Sequence, residues 1–239
     1  MGTISIEHGD RLFWLGRYAE RVFSTLKALE DLYDNSIDGR PECYTDFLAK
    51  FGLADTYGSA KSFFDSFIFD KENVNSVAAS LERAYDNGIV LREEISTEAL
   101  SFLQLAIDTL EKAQKSAKGL RLSLLPLEDI LFGFWGCVSE YVYDYEIRTI
   151  IFCGKSVERL DLELRFKSDF GKVQHEFERL CRHLRNVPKN SPYRYNTGQL
   201  CRLVEILGSE EDYLKLSDKA ITSLGKLFEA EKIPVGVNV

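Results

Sequence analysis

Apolar residues recur every three or four positions along most of this chain. In the first segment, residues 6–32, they form one continuous stripe, and aromatic residues lie on both sides of the opposite face. This spacing is typical of an amphipathic helix, and apolar residues around most of the circumference indicate a buried one. The stripe consists of Leu12, Leu15, Ala19, Val22, Leu26 and Leu29.

The same spacing predicts helices along the rest of the chain. Their expected ranges are about 42–51, 59–69, 77–95, 96–118, 126–166, 171–185 and 198–230, with the last broken near Gly208. Pro126 is expected to start its helix, a position that suits proline. Tyr141-Val142-Tyr143 has strand propensity, but no turn signal follows it, so we predict continuous helix there.

A degenerate repeat links the first helix to the segment around residue 154. In register, Gly16 falls on Gly154, Arg17 on Lys155, Glu20 on Glu158 and Arg21 on Arg159, and Lys27 falls on Arg165. Eleven residues are close to three helical turns, so glycine, glutamate and the distant base share one stripe. We therefore predict that the two helices pack together in the interior and cross at their glycines.

The charges on these stripes lie among apolar neighbours and must be paired, because unpaired buried charges are costly. Asp161 and Arg165 have the i,i+4 spacing of a pair within one helix. Two interpretations remain open. In the first, Glu20 pairs with Arg165 and Lys27 with Glu158, which only locks the helices together. In the second, the charges line a polar cleft between two halves of the protein.

Overall composition narrows the class of protein. The 239 residues carry a net charge of −8, which argues against general nucleic-acid binding. The five cysteines form no Cys-x-x-Cys pair and suggest reduced thiols. With no export signal and no stretch near the ~20 apolar residues of a membrane span, we expect a cytoplasmic protein without a membrane partner.

One basic segment departs from this acidic background. Between residues 172 and 202, seven lysines and arginines stand against only Glu176 and Glu178. Arginine suits carboxylate and phosphate groups, so the part from Arg179 to Arg194 is predicted to face an anion-binding groove. The alternative is a solvated basic face that balances acidic neighbours.

Familiar catalytic and cofactor patterns are absent from the sequence. It has no glycine-rich phosphate loop, no Gly-x-Ser-x-Gly and no His-Glu-x-x-His. The paired Glu-x-x-His motifs of a four-helix di-metal site are also missing. We therefore predict no metal and no cofactor, and the sequence identifies no catalytic residue.

Several motifs resemble the alpha-E domain family, a group of bacterial all-helical proteins without an established activity. The first is Trp14-Leu15-Gly16-Arg17-Tyr18-x-Glu20-Arg21, and the second runs from Ser80 to Ser96 through Asn87 and Arg92. The third is Gly154-Lys155-x-x-Glu158-Arg159-x-Asp161-x-x-x-Arg165, and Pro192-Tyr193-Arg194 matches weakly. Family members tend to be encoded beside ATP-grasp-type ligases and transglutaminase-like or other peptidase-like proteins. The resemblance thus implies a role in peptide ligation or modification.

Together these patterns predict one all-α domain over residues 1–239. It is an elaborated helical bundle whose weakly related halves, 1–125 and 126–239, surround two central Gly-x-x-x-Glu-Arg helices. We expect an accessory or binding subunit with a polar Glu/Arg cleft for an anionic or peptide ligand. The alternatives are an enzyme that uses this cleft on a peptide or amino acid, and a purely structural scaffold. The candidate binding residues are Arg17, Glu20, Arg21, Asn87, Arg92, Glu158, Arg159, Asp161, Arg165 and Arg194.

Overall fold

A computed structural model describes residues 4–38, 40, 42–116 and 120–228. These residues form ten α-helices and no strand, so the predicted all-α class is confirmed. The helices are α1 (Ile6–Ile37), α2 (Cys43–Lys50), α3 (Ala60–Phe69), α4 (Val77–Val90), α5 (Thr97–Gln114), α6 (Leu120–Tyr141), α7 (Tyr145–Arg165), α8 (Phe170–Arg185), α9 (Thr197–Ile206) and α10 (Glu210–Gly225).

Side-chain caps explain where most of these helices begin. An N-cap side chain accepts a backbone N–H that has no partner in the first helical turn. Serine fills this role for α1, α3, α4, α5 and α10, asparagine for α9, and aspartate for α7 and α8. Most of the predicted helices are present in the structure, and their ends differ from the predicted ones by a few residues.

Helix α1 is the central element of the bundle. It packs mainly on α7 and α4, while α5 packs on α6, α8 on α7, and α9 on α10. Every residue of its predicted apolar stripe is buried. A group of phenylalanines extends the core where α2 and α3 meet the end of α7, including Phe47, Phe51, Phe63, Phe67 and Phe166.

The helix predicted from residue 126 to residue 166 is in fact two helices. α6 ends at Tyr141, residues 142–144 are non-helical, and Asp144 caps α7 by accepting from the backbone N–H groups of Glu146 and Ile147. The Val142 carbonyl accepts from Arg148. The prediction of continuous helix was wrong. The side chains of Asp144 and Arg148 bind backbone groups that lose their helical partners at the break, so the break needs no glycine or proline turn.

Pro126 does not start its helix, as the sequence suggested, but lies in the second turn of α6. Leu122 stands four residues earlier and is exposed. The carbonyl that proline leaves without its helical donor thus belongs to a residue on the protein surface. The boundary expected between residues 125 and 126 falls inside this helix, and the division into halves stays a prediction.

By length and composition alone, α6 is apolar enough to cross a membrane, although half of that stretch is buried within the protein. The sequence predicted no apolar stretch near the ~20 residues of a membrane span, and this prediction was wrong for α6. A core helix in a soluble protein passes the same test, so this feature is weak evidence for a membrane.

Candidate functional site: the crossing of α1 and α7

The two motif glycines make the closest approach between α1 and α7. A Cβ atom added to Gly16 would overlap the carbonyl of Ile151 and lie 3.1 Å from the backbone nitrogen of Lys155. A Cβ added to Gly154 would overlap the carbonyl of Phe13 and lie 3.1 Å from the backbone nitrogen of Arg17. The contact is reciprocal, and it confirms the predicted crossing.

The approach brings the matched charges of the two helices together in exchanged pairs. Glu158 on α7 accepts from Arg17 Nε at 2.7 Å and from Arg21 Nε at 2.6 Å, with Arg21 Nη2 at 3.1 Å. These three residues are called the first charge cluster. Burial by itself would raise the pKa of Glu158, but the two guanidinium charges outweigh burial and lower the pKa to about 2. Glu158 is therefore an ionised, fully bonded carboxylate at neutral pH.

The equivalent carboxylate, Glu20 on α1, has a poorer set of partners. It accepts from Arg159 Nε at 2.6 Å and from Ser24 Oγ at 3.1 Å, while Lys155 Nζ lies 4.0 Å from its Oε2 atom. Glu20, Lys155 and Arg159 form the second charge cluster. Oε2 is buried and lacks a hydrogen-bond partner. Burial raises the pKa of Glu20, and the charges of Arg159 and Lys155 offset only part of this rise.

Lys155 is held against an aromatic ring rather than on the carboxylate. Its Nζ atom lies 3.8 Å from the centroid of the Trp135 ring and 5.8 Å from that of Phe152. Burial lowers the pKa of Lys155 to about 8, and Glu20 offsets part of that effect. Lys155 is the repeat equivalent of Arg17, which binds Glu158. Because Lys155 does not make the corresponding hydrogen bond, Glu20 Oε2 is left without a partner. The repeat already made Lys155 equivalent to Arg17, but Lys155 was not among the predicted site residues.

The predicted pairing of Glu20 with Arg165 and of Lys27 with Glu158 was wrong. Arg165 binds Asp161 on its own helix, with Nε 2.6 Å from Oδ2, as the i,i+4 spacing indicated. Lys27 contacts Glu128 of α6 and Glu30. Residues 27 and 165 lie about three turns beyond the glycines, outside the close approach between the two backbones. The charges of the two stripes therefore form two separate clusters beside the glycines, plus the Asp161–Arg165 pair.

A cavity of ≈ 180 Å³ borders the first charge cluster and is called the arginine cavity. Three arginines and two carboxylates line it, which leaves an excess of one positive charge. Apolar side chains from the α2–α3 region and from α7 form much of the remaining wall. The lining residues are Arg17, Arg21, Ser24, Thr25, Phe51, Leu53, Phe67, Asn75, Glu158, Asp161, Leu162 and Arg165.

The candidate residues are thus only partly brought together. Arg17, Arg21, Glu158, Asp161 and Arg165 line the arginine cavity, whereas Glu20 and Arg159 lie in the second charge cluster. Asn87 lines a different cavity, exposed Arg92 contacts its neighbour Glu93, and Arg194 donates to the Ser191 carbonyl at 2.8 Å. The sequence predictions missed the cavity residues from 51 to 75, because only tertiary packing brings them to α1.

The basic segment makes contacts mainly within itself. Arg179 lies 3.2 Å from Glu176, and Arg185 donates to the Cys181 carbonyl at 3.2 Å. These contacts leave other guanidinium nitrogens of the segment available, so the anion-binding groove remains a prediction. Among the described residues, no group of three or more His, Cys, Asp or Glu side chains is placed to hold a metal ion.

Comparison with known proteins agrees with the motifs at this crossing. No curated protein and no solved structure matches the chain at a significant level. One family model, Alpha-E, matches residues 8–225 and is described as a predicted alpha-helical domain with a conserved ER motif. Glu-Arg occurs in this chain at 20–21 and 158–159, at the crossing itself, and also at 82–83 and 178–179. Because the match covers nearly the whole chain, the protein belongs to the Alpha-E family.

Proposed function

We propose that this protein is a binding subunit that holds the carboxylate of a small ligand, such as the end of a peptide, in the arginine cavity. The observation that carries the proposal is the excess of arginine over carboxylate around a partly apolar cavity. An arginine can bind a carboxylate through two parallel hydrogen bonds. The walls formed by Phe51, Leu53, Phe67 and Leu162 suit an apolar group beside that carboxylate.

The ionisation of the first charge cluster favours binding over acid–base catalysis by Glu158 and its arginines. Arginine stays protonated in proteins, and the pKa of Glu158 is about 2, so these groups do not exchange protons at neutral pH. General acid–base catalysis works best with a group whose pKa is near the working pH. Lys155, with a pKa of about 8, does not line this cavity.

Two alternatives stay open as proposals of lower rank. An enzyme acting through the same cleft would need a proton-exchanging group, and Lys155 lies on the other side of the crossing, in the second charge cluster. A pure scaffold is favoured by the internal pairing of Glu158 and Glu20, because such pairs fix helix register without chemistry. The cavity beside the first charge cluster favours binding over the scaffold.

The cellular setting is proposed from the family resemblance. The protein would act beside an ATP-grasp-type ligase or a transglutaminase-like protein, as an accessory component of a peptide-modifying system in the cytoplasm. A carboxylate-binding cavity suits that setting. Peptide ligation consumes the carboxylate of one substrate, and the peptide product keeps the carboxylate of the other substrate at its C-terminal end. Identification of the proteins that co-purify with a tagged chain from its own cells tests this part of the proposal.

The binding proposal is tested with N-acetyl-leucine and its uncharged analogue N-acetyl-leucinamide at constant ionic strength. We expect only the acid to raise the melting temperature, since a ligand that binds the native state stabilises it in proportion to ln(1 + [L]/Kd). Arg165→Gln should abolish the effect, because Arg165 lines the cavity without holding Glu158. The control is Arg92→Gln, which alters an exposed arginine outside the cavity. Equal stabilisation by acid and amide, or by neither, contradicts the proposal.

A further inference from the structure

A second cavity lies further along α1, towards its N-terminus, between α1 and α4. Its volume is ≈ 410 Å³, and it is called the aromatic cavity because the rings of Trp14 and Tyr18 form part of its wall. The two ring centroids are 5.2 Å apart. Three carboxylates and two arginines line it, so its charge balance is the reverse of that in the arginine cavity. The lining residues are Glu7, Asp10, Arg11, Trp14, Tyr18, Arg83, Asp86 and Asn87.

The arginines of the aromatic cavity are engaged with the protein, while one carboxylate is not. Arg11 lies 3.5 Å from Glu7, and Arg83 donates to the Val74 carbonyl at 2.9 Å. Asp10 accepts from the hydroxyl of Tyr193 at 3.3 Å. Among the described residues, Asp86 makes no hydrogen bond or ion pair through its side chain, and the amide of Asn87 has no partner. The cavity therefore offers a free carboxylate and a free amide beside aromatic rings.

Stacked side chains of α1 are shared between the walls of the two cavities. The Arg17 guanidinium lies 4.9 Å from the Trp14 ring centroid, and that of Arg21 lies 5.5 Å from the Tyr18 ring centroid. In both pairs the arginine lines the arginine cavity and the ring lines the aromatic cavity. The cavities are therefore neighbours along one side of α1.

We propose that one ligand occupies both cavities: a short peptide with free ends, its carboxylate in the arginine cavity and its ammonium group in the aromatic cavity. Carboxylates together with aromatic faces are the partners that bind an organic ammonium ion. The α1 residues that line the aromatic cavity run from Glu7 to Tyr18, and those that line the arginine cavity run from Arg17 to Thr25. The midpoints of these two stretches lie about 13 Å apart along the helix, at about 1.5 Å per residue. An extended peptide covers that distance with about three to five residues.

This inference rests on the proposed function and names the ligand class for the same site. It also gives a role to Asn87, which the family resemblance identified and the arginine cavity does not include. A free amino acid is too short to reach from the middle of one cavity to the middle of the other, because its ammonium and carboxylate groups share one carbon atom.

Isothermal titration with Ala-Ala-Ala-Leu tests the inference. The peptide is compared with its N-acetylated and C-amidated forms, each titrated to millimolar concentration. We expect each modification to weaken binding by about tenfold or more, the change that corresponds to loss of one charged contact. Asp86→Asn should weaken binding of the free peptide and leave the acetylated peptide unaffected. Asp218→Asn, on α10, is the matched control.

The outcomes separate the two proposals. Equal affinity for the free and acetylated peptides overturns the present inference and leaves the carboxylate-binding function in place. An unchanged preference for the free amine in Asp86→Asn also overturns it, because the ammonium group then binds elsewhere. Equal affinity for the free and amidated peptides, or no binding of any of the three, contradicts both proposals.

Discussion

Gly16 and Gly154 occupy equivalent positions on two helices, and each lies against the backbone of the other helix. The carbonyl facing Gly16 belongs to Ile151, three residues before Gly154, and the carbonyl facing Gly154 belongs to Phe13, three residues before Gly16. This exchange holds the helix axes close enough for Glu20 and Glu158 to reach basic residues on the opposite helix. The glycines thereby determine which charges can pair.

Gly16→Ala should destabilise the protein by about 1–3 kcal/mol, because the new methyl group overlaps backbone that cannot move away without separating the helices. Gly136→Ala is the matched control: it lies inside α6 with nothing within 4 Å of its added Cβ atom. This change should stabilise by about 0.5–1 kcal/mol through the lower backbone entropy of alanine. Denaturant unfolding measures both. Similar effects at the two sites would contradict the close crossing.

Arg159→Met should destabilise the protein by about 3–5 kcal/mol, since it leaves Glu20 buried without its main partner. The double change Arg159→Met with Glu20→Leu should recover part of that loss, because no buried charge then remains unpaired. Lys215→Met breaks an exposed pair with Glu211 and should change stability little. Urea unfolding of the single and double variants gives the coupling free energy. Strictly additive effects would mean that the two charges do not interact.

Glu20 and Glu158 should give opposite dependences of stability on pH, although they are equivalent in the repeat. The pKa of Glu158 falls from an ordinary value of 4.5 to about 2 on folding, so the stability it contributes is complete above pH 4.5 and is lost towards pH 2. The pKa of Glu20 is raised by burial, so its contribution is favourable at low pH and is lost as pH rises above 4.5.

The measurement compares wild type with Glu158→Gln and with Glu20→Gln across this pH range. The difference in unfolding free energy from Glu158→Gln should grow as pH rises from 2 to 4.5. The difference from Glu20→Gln should move in the opposite sense as pH rises past 4.5. Slopes of the same sign would show that the two clusters have equivalent electrostatics.

Lys155 should make the protein more stable as pH rises from 8 to 10.5. Its pKa falls from 10.5 to about 8 on folding, so the unfolded chain binds more protons within that range. The charges that face it are Glu20, Arg159, Arg179 and Glu176. The unfolding free energy of wild type minus that of Lys155→Met isolates this contribution from the tyrosines. A difference that stays flat between pH 8 and 10.5 would contradict the burial of the ammonium group.

Much of the bundle could be predicted from local patterns. The three-to-four spacing of apolar residues specifies a helix and its buried face, and each capping side chain acts within three residues along the chain. The α1 stripe, the α8 range and the break near Gly208 were all predictable for that reason. The break at residues 142–144 was not, because neither proline nor glycine marks it.

The sequence alone determined that Gly16 and Gly154 belong to matching helices whose charges need partners. Only the tertiary structure decided the partners, because pairing depends on where the helix axes lie closest, and that point is beside the glycines. The side chains of Arg17 and Arg159 lie near that point and bind the two glutamates, whereas Lys27 and Arg165 lie about three turns away. The cavities also depend on tertiary structure, since residues 51–75 and 83–87 have no local signal that directs them to α1.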